Sequence, residues 1–248
     1  MARVAPVVPE ETALLCEKCG YIINGIPADS LCPECAAPIA QSLPINRQPP
    51  IWEQRNGSAM RRFIVTTFQL IFAPARFFRS MSSRADFGSS ASFARRHYWI
   101  SSILFGATAY VHGIWAWPML WYQRPIHTRP IYGALMLIIF SAAAYALLAI
   151  TSALASRLTA WEAAYRGLRL PRPVVQRALH YHSAHYLPVA LLAFLTVVGH
   201  QALIHRDLGI DRFAFRYLYI LCAEVILAAG YLFSTYWTGM RNLMYANG

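Results

Sequence analysis

Four long apolar stretches constrain the fold of this chain more than any other feature. Each is long enough to cross about 30 Å of hydrocarbon as a helix that rises about 1.5 Å per residue. Aromatic residues bracket several of them, as expected where amphipathic rings meet lipid headgroups. Only 13% of the residues are charged, well below the roughly 25% typical of soluble domains. We therefore predict an all-α membrane helix bundle in a domain at 98–248, with four transmembrane helices at residues 99–121, 131–155, 186–204 and 217–237.

The basic residues predict the partner and the orientation. The net charge is +11, but the arginines alternate with apolar stretches, whereas a nucleic-acid binder gathers its basic residues on one soluble face. We therefore predict a lipid bilayer as partner and no nucleic acid. Nine arginines lie in 36–97 and five in 156–184, against two and three in the other two loops. Because cationic loops resist translocation, we expect a multi-pass protein of the bacterial inner (cytoplasmic) membrane with both termini cytosolic.

Residues 41–97 combine a linker with one amphipathic segment. Pro44, Pro49 and Pro50 interrupt the first part, which lacks apolar periodicity. In 60–81 apolar residues recur at helical spacing, arginines lie near both ends, and Pro74 breaks the run. We predict an interfacial helix in the plane of the headgroups; the alternative is an ordinary soluble amphipathic helix.

Two Cys-x-x-Cys pairs, separated by twelve residues, predict a metal site at Cys16, Cys19, Cys32 and Cys35. Each tight turn aims two thiolates at one point, and four sulfurs at about 2.3 Å satisfy tetrahedral zinc. A segment of this size is too short to bury a core, so the metal folds it. We predict a small β zinc ribbon at 1–40, in the reducing cytosol that free thiols require.

The sequences of these two Cys-x-x-Cys turns, called knuckles below, resemble the rubredoxin-like domain of rubrerythrins. The matching motifs are Cys-Gly-Tyr-Ile at 19–22 and Cys-Pro-Glu-Cys at 32–35, with Ala36 where such motifs usually have Gly. The resemblance implies that the same cage could hold iron and serve redox chemistry. Thiolate cages do not by themselves select between the two metals; we expect zinc, with iron as the alternative.

The ribbon and the segment that follows it resemble bacterial membrane proteins that join a zinc ribbon to a Yip-type domain. The similar words are 70–78 (LIFAPARFF), 158–162 (LTAWE) and 182–184 (HSA), followed by the spans. The eukaryotic relatives act in membrane traffic by binding partners, and the bacterial ones imply no established reaction. The resemblance therefore implies a binding protein.

Three ionisable residues inside the predicted spans are candidate functional groups. Glu224 is the one acid within a span, and His112 and His200 lie well inside two others. Because a charge in the centre of a bilayer costs about 2.5 kcal/mol or more, such residues are functional candidates by default. The alternatives are an ion or proton pathway through Glu224, or a neutral glutamic acid that holds helices together by hydrogen bonds.

Histidine spacing suggests a second cofactor. His97 and His112 are fifteen residues apart, and so are His185 and His200. On helices, each pair lies within about 60° of one face and about 22 Å apart, which is the arrangement that two stacked b-type haems require. The segment from His185 to His200 also resembles the haem-ligating helix of cytochrome b. The alternative is that His97 and His185, at the ends of their spans, are ordinary interfacial histidines.

No nucleophile elbow, phosphate loop or zinc-protease helix occurs in the chain, so an enzyme is not expected. We predict a non-enzymatic membrane scaffold, adaptor or accessory subunit of a larger complex, with the ribbon as a cytosolic docking or folding module and with protein partners. The alternatives are a dihaem electron-transfer protein and an ion or proton pathway subunit.

Overall fold

The computed structural model describes residues 10, 13–54, 56–82, 87–121, 130–204 and 210–247. Within the helices, the side chains at 87, 114–121, 130, 201, 203–204, 210–216 and 218 lie outside this description. The described ranges form seven α-helices joined by short turns and 3-10 segments. The helices are α1 Ala59–Phe72, α2 Pro74–Ser80, α3 Phe87–Trp121, α4 Pro130–Tyr165, α5 Arg172–His182, α6 Tyr186–Ile204 and α7 Ile210–Leu243.

Three helices within the described residues are long and apolar enough to cross a membrane, at Ile131–Tyr165, Arg172–His200 and Tyr219–Leu243. They contain the predicted span at 131–155 and most of the predicted spans at 186–204 and 217–237. Many of their large apolar side chains are exposed, among them Ile138, Leu195 and Ile226. Such surfaces suit lipid better than water, so the chain is a membrane protein. The first predicted span falls on α3, part of whose side chains lie outside the description.

The chain divides into two compact units, each assembled from separate stretches. The first unit comprises Met1–Ala94, Ser152–Ala184 and Ser234–Gly248, and the second comprises Arg95–Thr151 and His185–Phe233. The long helices α3, α4 and α7 each contribute residues to both units. The domain boundaries at residues 40 and 97 were predicted from the sequence and stay predictions.

The first unit surrounds an aromatic core. Phe78 and Phe93 are nearly inaccessible to solvent, and the Phe93 and Tyr181 rings lie 5.2 Å apart between centroids. Proline positions the elements that deliver these rings: α1 ends at Phe72, and Pro74 begins α2, because proline supplies no amide hydrogen to continue a helix. The hydroxyl of Ser58 caps α1 by accepting from the Arg61 amide.

The second unit packs α3 closely against α4. A Cβ added at Gly106 would lie 2.7 Å from the Ser141 backbone nitrogen, so only glycine permits this approach. The sequence of α4 predicts a close-packing face at the small-residue pairs 142/146 and 149/153. In the structure, Ala142, Ala146 and Ala153 are exposed, whereas Ser141, which faces Gly106, is buried.

Candidate metal centre

The four predicted cysteines converge on one point. Their sulfur atoms all lie within 4.8 Å of one another, with Cys16 and Cys35 3.5 Å apart and Cys19 and Cys32 3.7 Å apart. Four sulfurs placed about 2.3 Å from a central ion lie about 3.8 Å from one another in a regular tetrahedron. All four cysteines are free thiols rather than disulfides. The sulfur cage therefore fits a tetrahedral metal ion.

Each pair of thiols is held by the same backbone turn. The amide of Gly20 donates to the Cys16 carbonyl, and the amide of Ala36 donates to the Cys32 carbonyl, both at 2.8 Å. Gly20 and Ala36 close their turns in the left-handed region, with φ of 80° and 54°. Gly20 adopts this φ without strain, but Ala36 carries a Cβ there.

The ribbon contains bridges where strands were predicted. Within the described residues, no β-strand forms around the cysteines; single antiparallel bridges join Leu15 to Ile22 and Leu31 to Pro38. Each bridge closes one knuckle and then the chain diverges. The prediction of a strand-based ribbon is therefore not supported, because the segment between the knuckles turns too often to extend a ladder.

The metal centre has a small apolar core of its own. Ile23 and Ile39 are each 2% exposed and pack with Cys16 and Cys32. A core of this size buries too little apolar area to offset the conformational entropy of ordering the ribbon. A metal bound by the four thiolates would supply the missing stabilisation.

Two thiols of the cage differ in how readily they ionise. Burial raises the pKa of the Cys19 thiol to about 12, although the Tyr21 amide acts in the opposite direction. Burial also opposes ionisation of Cys32, but the amides of Cys35 and Glu34 outweigh it and lower the pKa of that thiol to about 7. Backbone amides thus favour the thiolate form of Cys32.

Glu17, between the first two cysteines, ties the cage to helix ends. Its carboxylate accepts from Arg47 Nε at 2.6 Å and from Arg47 Nη2 at 2.9 Å. The same guanidinium donates to the carbonyls of Met81, at 2.8 Å, and Asn242, at 3.0 Å. Because the Arg47 side chain is only 2% exposed, this ion pair acts at low dielectric and with fixed geometry.

Asn247 joins the C-terminal tail to the ribbon. Its side-chain amide donates to the carbonyls of Leu15, at 2.7 Å, and Ser42, at 2.6 Å. Its side-chain oxygen accepts from the Leu15 amide at 3.0 Å and from Arg169 Nη2 at 2.7 Å. Its backbone amide donates to Glu17. One residue that is 1% exposed therefore binds the first knuckle and the segment that follows the second.

No family model, curated protein or solved structure matches this chain. The resemblance to rubredoxin-like ribbons and to Yip-type membrane proteins therefore stays a prediction. What the chain does must be inferred from its own geometry.

A second buried ion pair stabilises the first unit away from the cysteines. Glu53 accepts from Arg177 Nε at 2.9 Å and from the Tyr181 hydroxyl at 2.6 Å, and its side chain is 4% exposed. Arg177 also donates to the Ser82 carbonyl. Sequence reasoning missed Arg47, Glu53, Arg177 and Asn247, because each finds its partner far away in the chain and no local pattern marks it.

The histidines of the predicted haem site contact tyrosines. Nδ1 of His112 lies 2.9 Å from the Tyr217 hydroxyl, and the His200 ring stacks on Tyr217 with 3.9 Å between centroids. Nδ1 of His185 lies 2.7 Å from the Tyr231 hydroxyl, and His97 is fully buried. Tyrosine contacts therefore orient three of the four histidines.

Glu224, predicted from its position to be a candidate functional group, has a buried carboxyl group. Both carboxylate oxygens are buried and have no hydrogen-bond partner among the described residues. Within the same residues, the four cysteines are the one group of three or more potential ligands close enough for a metal. Among the described residues, Glu224 therefore does not form such a group with His112 and His200.

Proposed function

We propose that this protein is a non-enzymatic membrane scaffold or accessory subunit whose four-cysteine metal centre holds a cytosolic module together. The observation that carries the proposal is the attachment of the cage to distant chain segments through Glu17 and Asn247. The metal fixes the knuckle, the knuckle fixes Arg47 and Asn247, and these hold the end of α7. A metal centre used in this way is structural.

The ribbon forms hydrogen bonds with the C-terminal tail of its own chain. Leu15, Glu17 and Ser42 bind Asn247, which supports an intramolecular docking role for the module. Partner proteins would then bind a surface that the metal has already organised. We propose zinc as the metal because this role needs fixed geometry and no electron transfer; iron is the alternative.

The same contacts support a topology with an even number of crossings. Residues 15 and 247 share hydrogen bonds, which supports a topology with both residues on one side of the membrane. Three crossings would place them on opposite sides, whereas adding the predicted span at 99–121 places them together. We propose four crossings, with both termini in the bacterial cytosol, as the arginine distribution predicts.

Matched cysteine substitutions test the structural role of the metal. Cys32→Ser removes one ligand of the cage, and Cys222→Ser alters an exposed cysteine outside it. We expect one zinc per chain in the parent and in Cys222→Ser, measured by elemental analysis, and much less in Cys32→Ser. Hydrogen exchange at 13–17 and 243–247 should accelerate in Cys32→Ser alone. Equal protection in both variants would contradict a metal-held module.

A proton pathway through Glu224 is the second candidate function. Its two buried oxygens without a described partner favour this candidate, since an unpaired polar group is costly in lipid. We expect Glu224→Gln to abolish proton flux into proteoliposomes if the pathway exists. Flux equal to that of the parent removes this candidate and leaves the scaffold.

An absorption spectrum tests the electron-transfer alternative. Purified protein with zinc and no Soret band would exclude haem, and a rubredoxin-like visible spectrum would show iron in the cage. We expect a colourless protein, because zinc is a d10 ion without redox chemistry or visible bands and a scaffold needs no redox group.

A further inference from the structure

Helix α1 packs one face, with Thr66, Thr67 and Leu70, against the protein and leaves an apolar face exposed. Leu70 is fully buried and Thr66 lies beside it in the same face. On the other side, four large side chains recur every four residues and stay exposed. Their exposed fractions are 66% for Met60, 44% for Ile64, 56% for Phe68 and 75% for Phe72.

The exposed side chains form a continuous ridge. With about 100° between successive residues, positions four apart shift by about 40°, so the four span about 120° of the helix surface. Phe68 and Phe72 stack along this ridge, with 5.6 Å between centroids and 16° between planes. An ordinary surface helix turns its apolar stripe toward the protein core, so the exposed stripe of α1 indicates an apolar environment outside the protein.

The exposed cations of α1 and α2 have no matching anions. Arg61, Arg76 and Arg79 are exposed, and residues 56–82 contain no Asp or Glu. None of the ion pairs found in the described part of the chain involves these three arginines. The surface therefore offers apolar contact and uncompensated positive charge together.

We propose that this surface, the α1 face, binds the anionic headgroup layer of the cytosolic leaflet. The α1 face consists of Met60, Ile64, Phe68 and Phe72 with Arg61, Arg76 and Arg79. The apolar ridge enters the boundary between headgroups and acyl chains, and the arginines contact lipid phosphates. Two copies joined through this face would bring like charges together, which disfavours a homodimer as the occupant. The proposal rests on the cytosolic placement of the first unit.

Photocrosslinking of the full chain identifies the occupant. Benzoylphenylalanine replaces Phe68, aromatic for aromatic, in protein reconstituted into vesicles of phosphatidylcholine with or without phosphatidylglycerol. We expect lipid adducts by mass spectrometry, with phosphatidylglycerol over-represented relative to its share of the vesicle. An adduct to a second copy of the chain, or no lipid adduct, overturns the proposal.

Paired charge variants test the headgroup preference. Arg76→Gln/Arg79→Gln removes two cations of the α1 face, and Arg172→Gln/Arg241→Gln removes two exposed cations elsewhere. We expect phosphatidylglycerol retained by the purified protein in native mass spectrometry to fall about tenfold in the first variant, because each arginine near an anionic surface contributes to binding. The second variant should retain it. Equal losses in both variants overturn a specific α1 face.

Carbonate extraction separates this inference from the proposed function. A chain that stays in the membrane pellet, binds one zinc and yet gives no lipid adduct at residue 68 refutes the α1 face alone. A chain released by carbonate refutes the membrane scaffold as well.

Discussion

The left-handed turn at Ala36 stores backbone strain in the metal cage. Its φ of 54° brings Cβ toward the backbone and costs about 1 kcal/mol relative to glycine. Ala36→Gly should therefore stabilise the loaded ribbon by about 1 kcal/mol, which is about a fivefold slower loss of metal to a chelator. The rate of metal transfer to a chromogenic chelator measures the effect. An unchanged or faster rate would contradict strain at this turn.

Gly20 closes the turn of the first knuckle that corresponds to Ala36 in the second, and the side chain of Tyr245 limits the space beside it. A Cβ there would lie 2.6 Å from Tyr245 Cε1, so Gly20→Ala combines a left-handed φ with a collision against the C-terminal tail. Gly25→Ala is the matched control, since Gly25 has a φ of 76° and open space around it. We expect metal loss and tail exchange to accelerate more in Gly20→Ala than in Gly25→Ala. Equal rates would show that Tyr245 does not rest on the knuckle.

The contact between α3 and α4 depends on the absence of one side chain. A Cβ at Gly106 would lie 2.8 Å from the Ser141 Cα, and backbone atoms have nowhere to move without separating the helices. Gly106→Ala should lower the stability of the second unit by about 2 kcal/mol. Gly113→Ala, on the same helix with open space around it, should cost nothing. Unfolding in detergent, followed by tryptophan fluorescence, compares the two; equal midpoints would contradict close packing.

The C-terminal tail depends on Asn247. Asn247→Ala leaves the Leu15 amide, two carbonyls and Arg169 without this partner, and each buried group left unsatisfied costs about 1–3 kcal/mol. We expect a loss of about 3 kcal/mol in the stability of the first unit and faster hydrogen exchange at residues 13–17. Asn46→Ala removes an exposed hydrogen bond to Ala40 and should change stability by less than about 1 kcal/mol. Similar losses in the two variants would contradict the role of Asn247.

At the scale of the whole molecule, the hydrogen bonds between residues 15 and 247 support the proposed topology, in which these two residues lie on one side of the membrane. A fluorescent protein fused after Gly248 should therefore fold and fluoresce in the cytosol, and alkaline phosphatase fused there should be inactive. Phosphatase inserted between residues 122 and 129, which the sequence predicts to connect the first two spans, should be active, because the predicted first span carries this segment across. An inactive insertion would remove the four-crossing topology.

Some of this structure follows from the sequence alone. Apolar length and helical rise placed a span at 186–204, and α6 has those bounds, because burial in lipid demands about twenty apolar residues whatever surrounds them. The cage followed from the cysteine spacing, since a tight turn of four residues aims both thiols at one point. Both are local constraints, and local constraints are visible in a one-dimensional pattern.

Tertiary structure alone decided what the cage holds and which faces pack. Asn247 meets Leu15 across 232 positions, and Arg47 meets Asn242 across 195, so no spacing rule could pair them. Composition favoured the alanine pairs of α4 as its contact face. Instead Ser141 of α4 lies against Gly106 of α3, because packing against α3 determines how α4 is rotated about its axis. The sequence alone determined where the apolar helices lie and that lipid surrounds them. The hydrogen-bond partners of Asn247 and Arg47 depended on which distant groups folding brought within reach.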